Sequence, residues 1–458
     1  MSNERLVREV SLPCSAKAAF DWHARPGAFE RLTPPWECVK LTASTGGIRD
    51  GARVELKSYL GPIPLTWIAE HFDYREGELF CDRQISGPFA FWEHRHRFES
   101  TGLDSCKLID DITYRLPLKP FSNLARGGVR KKLMRMFDYR NAITKRDLGV
   151  NQGRRGRVVI SGASGLIGKA LVPFLQTQGW EVDRLVRCPP SASDEIEWSP
   201  KSRRVTWPLD YHCDAVIHLA GANVAGGRWT TARKRLIRES RIDGTQTLVS
   251  EIKRLRRPPA VFISGSATGF YGDTGESSAD ETTLRGEGFL ADVCAEWEEA
   301  LAPLREKDST RVVIARTGVV LTPVGGALAK MLPAFKLGLG ARLGSGNQWL
   351  SWIGIDDWLH GVHRLLIDEQ ITGPVNLSSP EPVTQLQFAR CLARVLGRPA
   401  IFPAPEILLK LALGEMAKET LLASSRIAPG VLTRNSYDFL HPSLEKALGH
   451  VLGKEVLA

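Results

Sequence analysis

Two patterns of apolar and polar positions divide the chain. Over residues 1–148, period-two alternation dominates. It predicts strands at about 53–60, 65–74, 78–86, 89–100 and 105–116, after a short helix at 16–24. Turn residues such as Gly61-Pro-Ile-Pro64 and Gly87-Pro88 separate several of these strands, so neighbours are expected to pair antiparallel. The region closes with a helix near 127–147. Val129, Leu133, Phe137 and Ile143 give that helix an apolar stripe opposite a basic face. Such a helix is suited to cover the apolar face of a curved sheet.

Residues 149–156, Gly-Val-Asn-Gln-Gly-Arg-Arg-Gly, read as a linker. From 157 to 458 the pattern changes to alternating strands and helices. Strands are predicted at 157–162, 181–187, 215–220, 260–266 and 311–316, with helices at 166–178, 230–255 and 287–306. That alternation predicts an α/β domain with a parallel, doubly wound sheet.

The bulk properties narrow the function classes. The chain has 458 residues, enough for two domains, with 43% hydrophobic and 24% charged residues. No apolar run approaches the roughly 18 residues of a membrane span. The start, Met1-Ser-Asn-Glu-Arg5, is not a secretion signal. Eight cysteines are scattered without CxxC pairs, which argues against a disulfide framework and fits a reducing cytoplasm. The net charge of +10 gathers partly at 126–146 and 154–157. These clusters read as a solvated helix face and a polar linker. No nucleic-acid motif accompanies them, so no nucleic-acid partner is expected.

The strongest chemical signal is Gly162-Ala-Ser-Gly165-Leu-Ile-Gly168, placed between a β-branched strand and an amphipathic helix. Gly162 permits a tight turn, Gly165 lets the backbone approach a pyrophosphate, and Gly168 lets the helix pack on the sheet. The N–H groups near Leu166 and Ile167 then face the anion. At the end of the second strand stands Arg187, with no carboxylate directly after it. Asp183 lies too early in the strand to reach a ribose. An arginine there accommodates a 2′-phosphate, so NADP(H) is favoured over NAD. The third strand runs into Leu219, Ala220 and Gly221, small enough in sum for a cofactor to lie against backbone. His218 within it is read as a packed core histidine.

These residues resemble the extended short-chain dehydrogenase/reductase superfamily, in particular its NAD-dependent epimerase/dehydratase-like members. Further marks are Ser264-Gly-Ser-Ala-Thr-Gly-Phe-Tyr-Gly272, Arg316-Thr-Gly-Val-Val-Leu321 and Trp352-Ile-Gly-Ile-Asp356-Asp357. The resemblance implies a cofactor site lined by Gly162, Leu166, Ile167, Arg187, Leu219, Ala220 and Arg241. Arg241 would be a second phosphate or ribose contact, or else a surface ion pair. Superfamily enzymes move a proton through a Tyr-x-x-x-Lys pair. Here those positions fall on Leu290 and Cys294, neither of which does that job. Ser266 and Tyr271 remain as catalytic candidates. Beyond residue 321 the resemblance implies a cap over a substrate cleft. Asp356 and Asp357 begin a helical pattern and suit a helix start. Trp349 and Trp352 suit either a pocket wall or the core.

The first region is similar to the START-like, or polyketide cyclase-like, superfamily through Leu12-Pro-Cys-Ser-Ala-Lys-Ala-Ala-Phe20-Asp-Trp22 and its strand-rich pattern. That implies an α+β helix-grip domain with an apolar or aromatic ligand. In the strand 91–98, alternation sets Trp92, His94, His96 and Phe98 on one face. They suit a cavity lining, a packed core or a metal, although the sequence shows no third ligand and no metal is expected. Two functions stay open. One is an NADP(H)-dependent oxidoreductase or epimerase acting on a small-molecule substrate. The other is a non-catalytic NADP(H)-binding sensor or partner-binding protein.

Overall fold

A computed structural model describes residues 3–60, 63–117, 122–150, 155–305 and 309–454. The predicted turn at Gly61-Pro62 and linker positions 151–154 lie outside the described residues. Contacts divide the chain into two compact units, Met1–Arg155 with Pro173–Trp180, and Gly156–Val172 with Glu181–Ala458. No described helix is long and apolar enough to cross a membrane.

The first unit runs β1 (Glu4–Leu12), α1 (Ala16–Ala24), α2 (Ala28–Leu32), β2 (Lys40–Ser44), β3 (Arg53–Leu60), β4 (Ile63–Arg75), β5 (Leu79–Ser86), β6 (Phe91–Gly102), β7 (Ser105–Arg115) and α3 (Ser122–Gly149). Its strands form one antiparallel sheet in the order β1-β7-β6-β5-β4-β3-β2. The first and last strands thus pair, and α3 packs on β1. Ser15 caps α1 by accepting from the Ala18 N–H. Two apolar clusters fill the space between sheet and helices. One joins Phe20 and Leu32 to Phe80, Phe98, Leu108 and Ile143; the other joins Leu6, Trp92, Ile112 and Tyr114 to Leu133 and Phe137. The apolar stripe read for the last helix therefore does face the sheet.

β1 escaped the sequence pattern because Arg8 stands in its inward-leaning row with Leu6, Val10 and Leu12, where it pairs with Asp138 of α3. A charge there hides the alternation. α2 and β2 are short and were missed as well.

The second unit contains β8 (Arg157–Ser161), α4 (Leu166–Thr177) as far as Val172, β9 (Glu181–Val186), β10 (Glu195–Ser199), β11 (Arg204–Val205), β12 (Ala215–His218), α5 (Thr231–Arg254), β13 (Val261–Ala267), α6 (Phe289–Glu299) and β14 (Arg311–Thr317). A last strand, Gly373–Leu377, completes the sheet in the order β11-β10-β9-β8-β12-β13-β14 and then itself. All neighbours are parallel except the β10–β11 hairpin. The long helix expected over 287–306 ends at Glu299, and a short helix, Ala302–Arg305, follows. The strand 373–377 was not foreseen, since Gly373-Pro374 reads as a turn.

Inside the first unit, Arg31 and Asp147 form a buried bidentate pair at 2.8 and 2.9 Å. Asp147→Ala leaves the guanidinium without that acceptor. It should lower the unfolding free energy in urea by about 3–5 kcal/mol. A loss below about 1 kcal/mol would show that the pair does not hold α2 to α3.

Candidate functional site

The strand order reverses at β8, with β9 on one side and β12 on the other. Open parallel sheets bind ligands at such a reversal, beyond the C-terminal strand ends. The glycine loop sits there. Gly162 has φ +77°, a conformation side chains avoid, and a Cβ on it would lie 2.8 Å from both Ala220 N and the Leu219 carbonyl carbon. A Cβ on Gly168 would lie 2.3 Å from the Gly162 carbonyl oxygen. Turn and helix start are therefore packed backbone to backbone. Gly165 is exposed, and its N–H donates to the Gly162 carbonyl at 2.9 Å. α4 begins at Leu166, so its first turn opens at this loop.

The neighbouring strand end is fixed by a buried pair. The Leu219 N–H donates to Ser161 O, and Ser161 Oγ lies 2.5 Å from His218 Nδ1. Burial, then the nearby Arg241 charge, lowers the His218 pKa to about 3. His218 is a neutral core residue. Among the described residues Arg241 of α5 makes no surface ion pair. Its Nη1 donates to the carbonyls of Ala222 and Ile237, and its guanidinium stacks over Trp297. A Cβ on Gly221 would lie 3.2 Å from its Cζ. Arg241 thus props the loop that follows β12. Arg187 stands one residue past β9. It is exposed and has no ion-pair partner among the described residues. Asp183 accepts from the Tyr211 hydroxyl, away from that edge.

Ser266 and Tyr271 come together through residues the sequence reading did not single out. Ser266 on β13, Arg316 on β14 and Asn376 on the last strand are paired in one row across the sheet. Glu298 of α6 accepts from Ser266 at 2.7 Å and clamps Arg316 at 2.9 and 2.7 Å. The Tyr271 hydroxyl donates to Asn376 Oδ1 at 2.8 Å and accepts from Arg316 Nη1 at 2.9 Å. Ser266 is 6% and Tyr271 3% exposed. Burial raises the Tyr271 pKa despite the adjacent Arg316. The signal in the sequence was an arginine, Arg316, near the end of a largely apolar strand.

Leu290 and Cys294 do lie on α6, one turn apart. Glu419 accepts from the N–H groups of Phe289 and Leu290 and so closes the N-terminus of that helix. Burial pushes the Cys294 thiol up to about 11. Further on, Gly325 approaches the start of α4, where a Cβ would lie 2.6 Å from Leu166 Cδ1. Lys330 reaches the Ala225 carbonyl at 2.9 Å. The segment after residue 321 therefore lies along the nucleotide edge. Asp356 and Asp357 occupy the first turn of the helix Ile355–Ile367. There they also bind the C-terminal segment, Asp356 through His450 and Asp357 through the N–H groups of Leu440 and His441. Trp352 is core, and half-buried Trp349 hydrogen-bonds Glu276.

In the first unit, Trp92, His94, His96 and Phe98 are buried on one face of β6. Phe98 packs on Phe20 and Phe80, and Trp92 on Trp67 and Phe89. Asp82 and Asp110 flank the histidines, so the missing third ligand type is present after all.

A parallel sheet with its reversal at a glycine loop defines a dinucleotide-binding Rossmann domain. Comparison with known proteins narrows this. The profile of the NAD dependent epimerase/dehydratase family matches residues 158–377, and a domain of unknown function, DUF1731, matches residues 404–451. An epimerase family protein of Mycobacterium bovis is 41% identical over 293 residues, covering 64% of this chain and 96% of the relative. The chain belongs to the NAD dependent epimerase/dehydratase family. A crystal structure of human epimerase family protein SDR39U1 with NADPH is 31% identical, with TM-score 0.61, over 65% of this chain and 99% of that one. A nucleoside-diphosphate sugar epimerase structure from Corynebacterium glutamicum is also 31% identical, with TM-score 0.78, and covers 98% of this chain and 90% of its own. Similarity to that structure therefore extends over both units.

Cys294 should behave as an inert thiol. In native protein at pH 8, a disulfide reagent should modify the exposed Cys38 and Cys188 quickly, and Cys294→Ser should leave the fast phase unchanged. Fast modification of Cys294 would place a thiolate in the site.

Proposed function

We propose that the second unit binds NADP(H), with the pyrophosphate at the loop Gly162–Gly168 and the 2′-phosphate on Arg187. The observation that carries this is a glycine loop packed backbone to backbone at the strand reversal, beside an exposed guanidinium, unpaired among the described residues, at the next strand end. The NADPH bound to human SDR39U1 supports it. Gly165 lets the backbone approach the pyrophosphate, the first turn of α4, near Leu166 and Ile167, supplies N–H groups, and Leu219, Ala220 and Gly221 leave room for the nucleoside. When bound, the nicotinamide can exchange a hydride with a small-molecule substrate.

Two uses of the nucleotide follow. An oxidoreductase or epimerase of the family type is supported by the intact cofactor edge. A non-catalytic sensor is supported by the absence of a tyrosine–lysine pair, since Leu290 and Cys294 hold those positions. In the catalytic reading Ser266 orients the substrate and Tyr271 exchanges a proton. Both hydroxyls must then leave their present partners, Glu298 and Asn376. We also read the first unit as a START-like helix grip, supported by its closing β1–β7 pair and the long α3 against the sheet. An apolar ligand is the class such a fold takes, and Trp92, His94, His96 and Phe98 would face it.

Calorimetric titration decides the cofactor. Wild type should prefer NADPH to NADH, and Arg187→Ala should weaken NADPH by roughly 10- to 100-fold while leaving NADH unchanged, as expected for losing a charge-assisted contact. No binding of either nucleotide would refute the proposal. Tyr271→Phe then separates the two uses. Lost turnover with retained NADPH binding establishes catalysis through that phenol.

A further inference from the structure

The polar cluster inside the first unit is built like a metal site. Three neighbouring strands supply it. Asp82 on β5 is paired directly with His94 on β6, and His96, two residues on, is paired with Asp110 on β7. The period-two pleat sends all four side chains to the same face of the sheet. That face is covered, so the imidazoles and Asp110 are buried.

The distances sort the four residues into two shells. Asp82 Oδ2 lies 3.3 Å from His94 Nδ1 and 3.7 Å from His96 Nε2. One donor atom from each of these three residues falls within 4.8 Å of the others. Ligands bound to one ion at about 2.0–2.1 Å in a tetrahedron stand about 3.3 Å apart. On the far side of both rings lies Asp110, whose Oδ1 is 3.0 Å from His94 Nε2 and 2.9 Å from His96 Nδ1. A carboxylate behind a ligating histidine fixes the tautomer and ring orientation. Asp82 is itself oriented, because its Oδ1 accepts from Trp92 Nε1 at 3.1 Å.

His96 supplies an independent observation. Its side chain is only 9% exposed and stands between two carboxylates. Nδ1 faces Asp110 Oδ1 at 2.9 Å, and Nε2, on the other side of the ring, stands 3.7 Å from Asp82 Oδ2, beyond hydrogen-bond reach. The nitrogen turned towards Asp82 thus has no acceptor within hydrogen-bond reach among the described residues, and a cation between it and that carboxylate would serve both.

We propose that Asp82, His94 and His96 hold one divalent transition-metal ion of the zinc class, with Asp110 as the outer carboxylate that orients both imidazoles. Two neutral imidazoles and one carboxylate are a donor set that zinc accepts, and the two aspartates together balance a dication. Three protein ligands leave one position of a tetrahedron for a water or a ligand group.

The test uses the full-length protein, treated with EDTA and desalted, then titrated with Zn(II) against a competing chelator. Wild type should take up one ion per chain, and Co(II) in its place should give the visible bands of a four-coordinate site. Asp82→Asn and His96→Gln should each weaken uptake by more than about 100-fold, and Asp110→Asn by about 10- to 100-fold, the effect typical of an outer partner. Far-UV circular dichroism verifies that each variant is folded. Wild-type protein that takes up no stoichiometric Zn(II) would overturn the proposal and leave the cluster an ion-pair network. Uptake undiminished in folded Asp82→Asn and His96→Gln would overturn it equally, by placing the ion elsewhere.

Discussion

The second unit depends on a place where no side chain fits. The backbone of Gly162 meets the backbone of Leu219 and Ala220 where the strand order reverses, and Gly168 closes on the Gly162 carbonyl from the helix side. These contacts set β8, α4 and β12 at separations that only glycine allows. Everything nearby preserves that spacing. Ser161 and His218 lock two strand ends together, and Arg241 holds the loop beyond the second of them. The result is an edge of glycine and small residues at the start of a helix. A dinucleotide needs that in its site, because its phosphates are bound by backbone and must come close to it.

This edge was legible in the sequence because its requirements are local. A glycine spacing, a β-branched run before it and an apolar helix stripe after it lie within a few residues of each other. Leu133, Phe137 and Ile143 were legible for the same reason, since period and burial go together. The failures share the opposite property. Arg8 breaks the alternation of β1 because its partner, Asp138, is 130 residues away in the chain. Glu298, Arg316 and Asn376 meet only after three strands and a helix have packed. Asp82 became a neighbour of His94 through strand register, which the strand 91–98 by itself does not contain. Arg241 was legible as a residue, but not its bonds to the Ala222 and Ile237 carbonyls. An arginine on a helix suggests phosphate or carboxylate, whereas here it serves two carbonyls.

The row Ser266, Arg316, Asn376 explains what replaced the tyrosine–lysine pair. A lysine near a tyrosine would favour its ionised form. Cys294 is neutral and sits in that place, while Arg316 does lie against the phenol. Its charge, however, is already taken up by Glu298 in a bidentate pair. Burial therefore prevails, and the phenol stays protonated. Tyr271 is held as a donor to Asn376, which also donates to the Ala428 carbonyl. The network thereby ties β13, β14 and the last strand to the C-terminal segment. Its first consequence is structural, because a buried pair with one member removed leaves an uncompensated charge.

Two buried polar systems thus lie on the two sheets, and they differ in completeness. In the second unit each hydroxyl, carboxylate and guanidinium of the row has a hydrogen-bond partner within the chain. Such a system is closed, and a substrate would have to compete with it. In the first unit His96 Nδ1 faces Asp110 at 2.9 Å, but its Nε2 is 3.7 Å from Asp82, with no acceptor within hydrogen-bond reach among the described residues. Buried polar groups are nearly always satisfied, and an exception in an otherwise packed core marks a position where something else belongs. By that criterion the histidine cluster is more open to a ligand than the tyrosine the family resemblance pointed to. The chemistry peculiar to this chain is then to be sought in both units, with the nucleotide at the glycine loop and a cation between β5, β6 and β7.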